Sequence, residues 1–533
     1  MFAKSVFTCE GKPFFPIGAQ AHNSSGYSME ELEDHWKACE LLGANSCAIA
    51  ISWERFEYTE GNFDTELVKD IIEGCRKREL KLILLWFGTW KNGHMKYVPQ
   101  WVKADRKRFP RVRTHDGYEI GNLSSFSRNT LEGDKRAFCK LMEIIREADP
   151  EMETVIAVQI ENELGIVGKA IRDFGPEAEQ QFKADVPPEV LEKLHSAGSE
   201  EYAVQAWKSC GAKENGNWQE IFGRYGDEAL QAYSMTCFVE EIAAAGKEIL
   251  PLPFYVNVWL DQQGMDIAGL NYPAGGPVSK NLFFWMNFAP HLDMVCPDMY
   301  QAVKSVYDKT INIYERENNP LYIPETGSNM PLALHVFGAI ADHGLTGVHI
   351  FGSESVLDEN GGLKENALPM RENFQALNAV WPLLVKERDT GRIHAVMQEE
   401  FQDEQRMFFD GVRALARFGE FPRGGDYRHA VKKAPVGRGR GLVIQTGEKE
   451  FIICGTGFSM AFRDDPPLTC PRVPQQDDQR EYFMNYLTVE EGYFDADCVW
   501  HPTRIRNGDQ TDFGVFVFPD HGAVRVVLDG AAL

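Results

Sequence analysis

With 533 residues, 44% of them hydrophobic, the chain can build a full-sized core and is expected to hold one large domain and a smaller one. It carries 55 Lys+Arg against 79 Asp+Glu, a formal net charge of −24, which repels phosphate backbones and anionic lipid surfaces and argues against nucleic acid and membrane as partners. The 11 cysteines are scattered, odd in number and form no Cys-x-x-Cys pair, so neither a disulfide framework nor a zinc site is indicated.

The amino terminus shows no apolar run of signal-peptide length, and no later stretch approaches a transmembrane helix. The expected location is the cytoplasm. Up to about residue 370, short apolar runs alternate with longer amphipathic stretches, the pattern of repeated βα units around a parallel sheet. Eight strands are predicted, at 14–18, 46–51, 81–87, 154–160, 254–258, 294–296, 321–323 and 347–351. Between the first two, Leu32, Trp36 and Cys39 recur at helical spacing, Ser28 with Glu31 resembles a capping box, and Gly43 is placed to end the helix.

The stretch 165–250 is too long for an ordinary βα connection and should carry extra helices besides the regular one at 227–249. Eight βα units need roughly 250 residues, so a span near 370 implies insertions on a (β/α)8 barrel. After Trp381 the pattern changes to strands separated by Gly, Asp and Asn turns, at 441–453, 480–489 and 513–529. The expected division is therefore a barrel over 1–380 and a β-sandwich-like domain over 381–533. The run Gly437-Arg438-Gly439-Arg440-Gly441 looks like an RNA-binding segment, but a single short run beside a strand in an acidic chain reads better as a turn.

Catalytic groups of such barrels project from the carboxyl ends of the strands. Two endings stand out: strand four opens into Glu161-Asn162-Glu163-Leu164-Gly165, and strand seven into Pro324-Glu325-Thr326-Gly327. Strands four and seven lie on opposite sides of an eight-stranded barrel, so their carboxylates can face each other across its mouth. Retaining glycoside hydrolysis needs such a pair about 5 to 5.5 Å apart, one attacking the anomeric carbon and one moving the proton. No metalloprotease, P-loop, serine-hydrolase or dinucleotide signature occurs in a fitting context, and no metal or cofactor is indicated.

The segment Gln159-Ile160-Glu161-Asn162-Glu163-Leu164-Gly165 resembles the Gln-x-Glu-Asn-Glu-Tyr-Gly motif of the family 35 β-galactosidases, and Asn162-Glu163 is the pair shared across the larger retaining clan that includes family 42. Gly11-Lys12-Pro13-Phe14 and the stretch from Trp53 to Asp64 are similar to further segments of the family. The resemblance implies a retaining exo-β-galactosidase acting on small galactosides. Glu163 would be its acid/base, Glu325 its nucleophile, and Asn162 would bond the sugar 2-hydroxyl. Leu164 in place of Tyr, and Pro324-Glu325-Thr326-Gly327 in place of a Trp-rich nucleophile segment, point to a divergent branch such as family 165. Relatives in family 42 form trimers, so the resemblance also implies a homo-oligomer.

Further site candidates follow from strand ends. By resemblance Tyr300 bonds the nucleophile, with a packing tyrosine as the alternative. Trp90 is read as a stacking platform and Asn92 as a hydroxyl ligand, whereas Trp86 lies deeper and is read as core. Trp259, Glu354, Gln20 and Asn23 occupy rim positions, open equally to substrate and to structural roles. Glu161 alternates with Glu163 along the strand and is expected to point the same way, as a substrate ligand or as a member of a supporting network. His22 and His349 are read as structural. The competing functions are another β-glycosidase of the clan, a β-glucosidase or β-xylosidase, and a carbohydrate-binding pseudoenzyme.

Overall fold

The computed structural model describes residues 4–261, 267–418, 437–464, 485–511, 514, 516–519 and 522–529. Eight parallel strands form a nearly closed barrel: β1 Ile17–Gln20, β2 Ser46–Ser52, β3 Lys81–Lys91, β4 Val155–Asn162, β5 Phe254–Val258, β6 Met294–Pro297, β7 Ile323–Thr326 and β8 Val348–Phe351. A helix follows each strand: α1 Glu33–Leu42, α2 Thr65–Lys77, α3 Arg128–Ala148, α4 Gly226–Ile249, α5 Leu282–Phe288, α6 Lys304–Tyr314, α7 Met330–His343 and α8 Leu368–Asn378. β2 and β4 are buried on both faces, which is why they read as nearly unbroken apolar runs rather than as alternation. The ring is drawn together between β6 and β7 at its carboxyl end. There the Met299 N–H donates to Glu325 O at 2.8 Å, and Thr326 Oγ1 donates to Met299 O at 2.7 Å.

Several predicted boundaries move. β1 starts at Ile17 rather than at residue 14, because Pro16 has no N–H to give to a ladder. β3 runs four residues beyond the prediction, to Lys91. β7 lies two residues later than predicted, so Glu325 sits within the strand rather than after it. Helix α1 begins only at Glu33, and Ser28 Oγ caps a local turn through the Glu31 N–H at 3.2 Å. Gly43 does end α1, at φ 74°, with its N–H on the carbonyls of Cys39 and Glu40.

The long connection after β4 carries four short helices, Pro176–Lys183, Pro188–Ser196, Tyr202–Ser209 and Trp218–Phe222, before α4. They pack a separate apolar cluster that includes Trp207, Trp218, Phe222 and Phe284. Among the described residues no helix is long and apolar enough to cross a membrane.

From Ile393 on, the described residues form two antiparallel sheets, one of six strands and one of three. The predicted stretch 441–453 is two strands, Arg440–Gly447 and Glu450–Thr456, paired across a turn. The predicted strands at 480–489 and 513–529 fall partly outside the described residues; the described parts are Tyr486–Phe494 and Ala523–Leu528. Alternation divides the larger sheet. Val443, Ile453 and Val524 face the three-stranded sheet in one apolar cluster, whereas Leu442, Ile444, Ile452 and Cys454 join the barrel's core.

Arg440, in the glycine–arginine run, is fully buried. Its guanidinium donates to Asn373 Oδ1 at 2.8 Å and to Pro369 O at 2.9 Å on α8, and it pairs with Glu372. The run thus leads from a bend at Gly437 directly into a strand, whose arginine fastens the sheet to the barrel. Arg440→Ala strips these buried acceptors of their donor and is expected to lower unfolding free energy by about 3 kcal/mol, read from urea unfolding.

Candidate active site

The carboxyl ends of β4, β6 and β7 bring three carboxyl groups together. One oxygen from each of Glu163, Asp298 and Glu325 lies within 4.8 Å of the other two, and the residues keep 9%, 3% and 5% of their surface exposed. Cavities of about 610 Å³ open elsewhere, one bounded by Glu201, Lys280 and Arg316, and the carboxyls lie in the constricted barrel mouth.

Among the described residues the hydrogen bonds to the Glu325 carboxyl are all donated to it by amides and a hydroxyl. Gln20 Nε2 reaches Oε1 at 3.0 Å and the Tyr300 hydroxyl reaches Oε2 at 3.1 Å. Asn162 and Asn257 amides approach Oε1 at 3.4 and 3.5 Å, longer than firm hydrogen bonds. Burial and then the Glu325 charge push the Tyr300 hydroxyl far up, so it remains a donor.

Glu163 sits at φ 44°, in the left-handed region that non-glycine residues seldom occupy. Its backbone is tied down: its N–H donates to Asn257 Oδ1 at 2.8 Å, and its carbonyl accepts the Gly93 N–H at 3.0 Å. Asn92 Nδ2 donates to its carboxyl. Burial, and secondly the Glu325 charge, push its pKa up to about 7, partly offset by the Lys91 ammonium. A buried carboxyl raised in this way can hold a proton at neutral pH and release it as an acid.

Sequence reasoning places Glu161 on the same side as Glu163, and here the structure differs. Glu161 is itself at φ 60°, which breaks the strand's alternation and turns its side chain out of the mouth. Fully buried, it accepts the Thr89 and Trp90 N–H groups at 3.0 and 2.6 Å and lies against Asp134 of α3. Burial and then Asp134 hold its pKa well above the usual carboxylate range. It pins a bulge in β3: Trp86 pairs with Ile160 and Lys91 with Asn162, leaving four residues of β3 against one of β4. Gly88 within that bulge is obligatory, since a Cβ there would lie 2.5 Å from Trp86 Nε1 and 2.6 Å from Asp134 Oδ2.

The same bulge redirects Trp90. Its ring is fully buried, edge-on to Phe238 of α4 at 4.8 Å, so it offers no face to a sugar and belongs to the core, as Trp86 does. Asn92 is brought to the site, though onto the Glu163 carboxyl. Glu354 accepts the His22 N–H at 3.0 Å and the Ser353 hydroxyl at 3.0 Å. Although burial raises its pKa, hydrogen bonds from Ser25 and His22 win and hold it below the usual range, as befits a carboxylate that clasps the loops after β1 and β8. Asn23 is half-buried in that loop with Oδ1 shielded and unpartnered, and Trp259 stands half-buried after β5. His349 lies inside the barrel between Tyr322 and Ser46, and burial lowers its pKa to about 3. His22 Nε2 bonds Ser355 Oγ at 2.6 Å.

Three residues of the site escape sequence reasoning. Asp298 follows β6 directly and so carries the same strand-end signal as Glu163. Asn257 is interior to β5, where an amide in an apolar strand is the signal. Lys91, buried with Nζ on Asn162 Oδ1 at 2.8 Å, lies beyond the predicted end of β3. The stretch from Trp53 to Asp64 is a self-bracing loop, in which buried Glu57 accepts Trp53 Nε1 and the Gly61 N–H, both at 2.7 Å, and Arg55 pairs with Asp64.

A family described as a domain of unknown function, DUF5597, matches residues 370–518, beginning inside α8. No curated protein matches the chain. Among solved structures, a catalytic mutant of Gan42B, a GH42 β-galactosidase from G. stearothermophilus, is 16% identical at a TM-score of 0.50, over 72% of this chain and 58% of that one. A β-galactosidase from Bacillus circulans sp. alkalophilus is 16% identical at 0.48, over 69% of this chain and 56% of that one. The β-amylase catalytic domain from Paenibacillus polymyxa is 11% identical at 0.47, over 67% of this chain and 97% of that one. The chain thus spans little more than half the length of the two β-galactosidases it resembles. Identity this low speaks for the fold alone: the chain shares a (β/α)8 barrel with the GH42 enzyme, and the DUF5597 match lies largely in this chain's antiparallel sheets.

Proposed function

We propose that this chain is a retaining exo-acting β-glycosidase, with Glu163 as general acid/base and Glu325 as nucleophile. The observation that carries the reading is that one carboxyl oxygen of each lies within 4.8 Å of the other, a spacing compatible with the close pair of a retaining enzyme, about 5 Å apart, and short of the roughly 6.5 Å or more that an inverting enzyme needs to seat a water. Glu325, held by Gln20 and Tyr300, attacks the anomeric carbon as Glu163 gives its proton to the leaving oxygen. A glycosyl ester forms on Glu325, its charge disappears, and Glu163 then takes a proton from the water that releases the sugar.

Galactose as that sugar rests on the resemblance of the strand-four motif. The small galactoside substrate and the homo-oligomer rest on resemblance too, whereas the division into a barrel over 1–380 and an accessory domain over 381–533 rests on the change of sequence pattern after Trp381; a cytoplasmic location is part of the same proposal. A panel of nitrophenyl β-glycosides tests the reading. The β-galactoside is expected to be cleaved best, with kcat/KM falling as pH rises through about 7 because Glu163 must keep its proton. Preference for the β-glucoside or β-xyloside overturns the sugar, and failure on every member overturns the enzyme in favour of a binding protein.

A further inference from the structure

At the end of β3 the site holds a buried cation, Lys91, that a two-carboxyl mechanism does not use. We propose that Lys91 is a positioning residue whose ammonium fixes the direction of the Asn162 amide beside the nucleophile; this rests on the reading of Glu325 as nucleophile.

The geometry carries it. Lys91 keeps 5% of its surface exposed, and the bulge sets it level with Asn162 on β4. Its backbone is fixed there: the Lys91 N–H donates to His94 O at 2.8 Å, and the Asn92 N–H donates to Asn162 O at 3.1 Å. Nζ donates to Asn162 Oδ1 at 2.8 Å, and among the described residues no carboxylate lies within ion-pair distance of it. Nζ also stands 5.1 Å from the centre of the Phe87 ring. Burying an ammonium is costly, and a neutral amide with a ring face offsets little of that cost, so stability gives no reason for a lysine here. Its charge also opposes the upward push that burial gives the pKa of Glu163 and Asp298, the acidic groups it faces at the ends of β4 and β6.

Direction gives that reason. A carboxamide offers an acceptor at one end and donors at the other in nearly the same shape. An ammonium only donates, so it holds Oδ1 and turns Nδ2 the opposite way, where Glu325 Oε1 lies at 3.4 Å. A flipped amide would set Nδ2 against the ammonium and Oδ1 against the carboxylate, two repulsive contacts. At 3.4 Å the hold on Glu325 is loose, and Nδ2 carries two N–H groups, so a donor remains for substrate. A donor beside the attacking oxygen meets the hydroxyl on the carbon next to the anomeric one, the 2-hydroxyl, whose hydrogen bonds strengthen in the transition state. Glu325 loses its charge when the glycosyl ester forms. Lys91 is unaltered, and keeps Nδ2 turned to the sugar through the second displacement.

The test compares the full wild-type chain with Lys91→Met on the nitrophenyl β-glycoside it cleaves best and on the 2-deoxy analogue of that glycoside. Lys91→Met is expected to lower kcat/KM about 10²-fold on the parent, and less than about 3-fold on the analogue, which has no hydroxyl for the amide to hold. The basic limb of the kcat/KM profile should move above about pH 7, because the ammonium no longer favours ionised Glu163. Lys91→Gln offers the amide either a donor or an acceptor and so sets no direction; it is expected to show the same selective loss, and it replaces Lys91→Met if that variant does not fold. Equal losses on the two glycosides, or a limb that stays put or falls, overturn the proposal. If no glycoside is cleaved, the reading of Glu325 fails and nitrogen-15 labelling of the Asn side chains decides. The Asn162 Nδ2 resonance, identified by its loss in Asn162→Ala, is expected to move or split in Lys91→Met as both amide directions become populated. A single resonance at its wild-type position overturns the dependence of the amide on Lys91.

Discussion

Glu325→Gly is expected to lower turnover of a nitrophenyl β-glycoside by roughly 10⁵-fold, the scale of removing a nucleophile whose partners cannot act without it. Azide or formate should restore a large part of the rate, because either fits the space left by the carboxylate near Gln20 Nε2 and the Tyr300 hydroxyl, donors that remain aimed at an anion. With azide the product should be the glycosyl azide of opposite anomeric configuration, since one displacement replaces two. An unchanged rate in Glu325→Gly, or rescue without change of configuration, would show that the attacking group lies elsewhere. Asp298, within 4.8 Å, is the other carboxyl to examine in that event.

For Glu163→Ala the expected pattern is a split by leaving group. Substrates with poor leaving groups should lose roughly 10²–10⁴-fold, the usual worth of a general acid, while dinitrophenyl glycosides, whose leaving oxygen needs little protonation, are spared in the first step. The glycosyl ester should then accumulate, because the same residue activates water in the second step, and a burst of phenol should precede slow turnover. The loss of activity above about pH 7 should also vanish, since the group that ionises there is gone. Equal losses on good and poor leaving groups would refute the acid role.

Both variants test positions that are readable in the chain itself, and the reason is local. Strands β2 to β5 are buried on both faces, so their apolar runs end where polar side chains first become tolerable, at the barrel mouth. Glu163 and Tyr300 lie at or just past such ends, and Glu325 at the close of β7. The Gly43 cap and the limits of β5 are legible for similar reasons, being set by residues within one turn or one strand.

Other assignments needed the folded chain. Trp90 and Glu161 are both expected at the barrel mouth, and both turn away from it. The cause is one event between strands: four residues of β3 bulge against one of β4, with Glu161 and Asp134 bonding the bulge from behind. A bulge is a relation between two strands, and period-two reasoning on either strand alone cannot contain it. Glu354 likewise stands at a strand end, yet its partner is the His22 N–H, distant in sequence and set beside it only by the closing of β8 against β1.

By itself, then, the sequence determined a barrel of eight buried strands, the C-terminal strands that follow it, and the two glutamates at facing strand ends. Only the tertiary structure decided which way the side chains near those glutamates turn, and that a third carboxyl, Asp298, joins them. The physical reason is range. Strand burial and chain punctuation act over a few residues, whereas the direction of Trp90, the charge environment of Glu163 and the clasp of Asn257 arise between elements that meet only when the barrel closes.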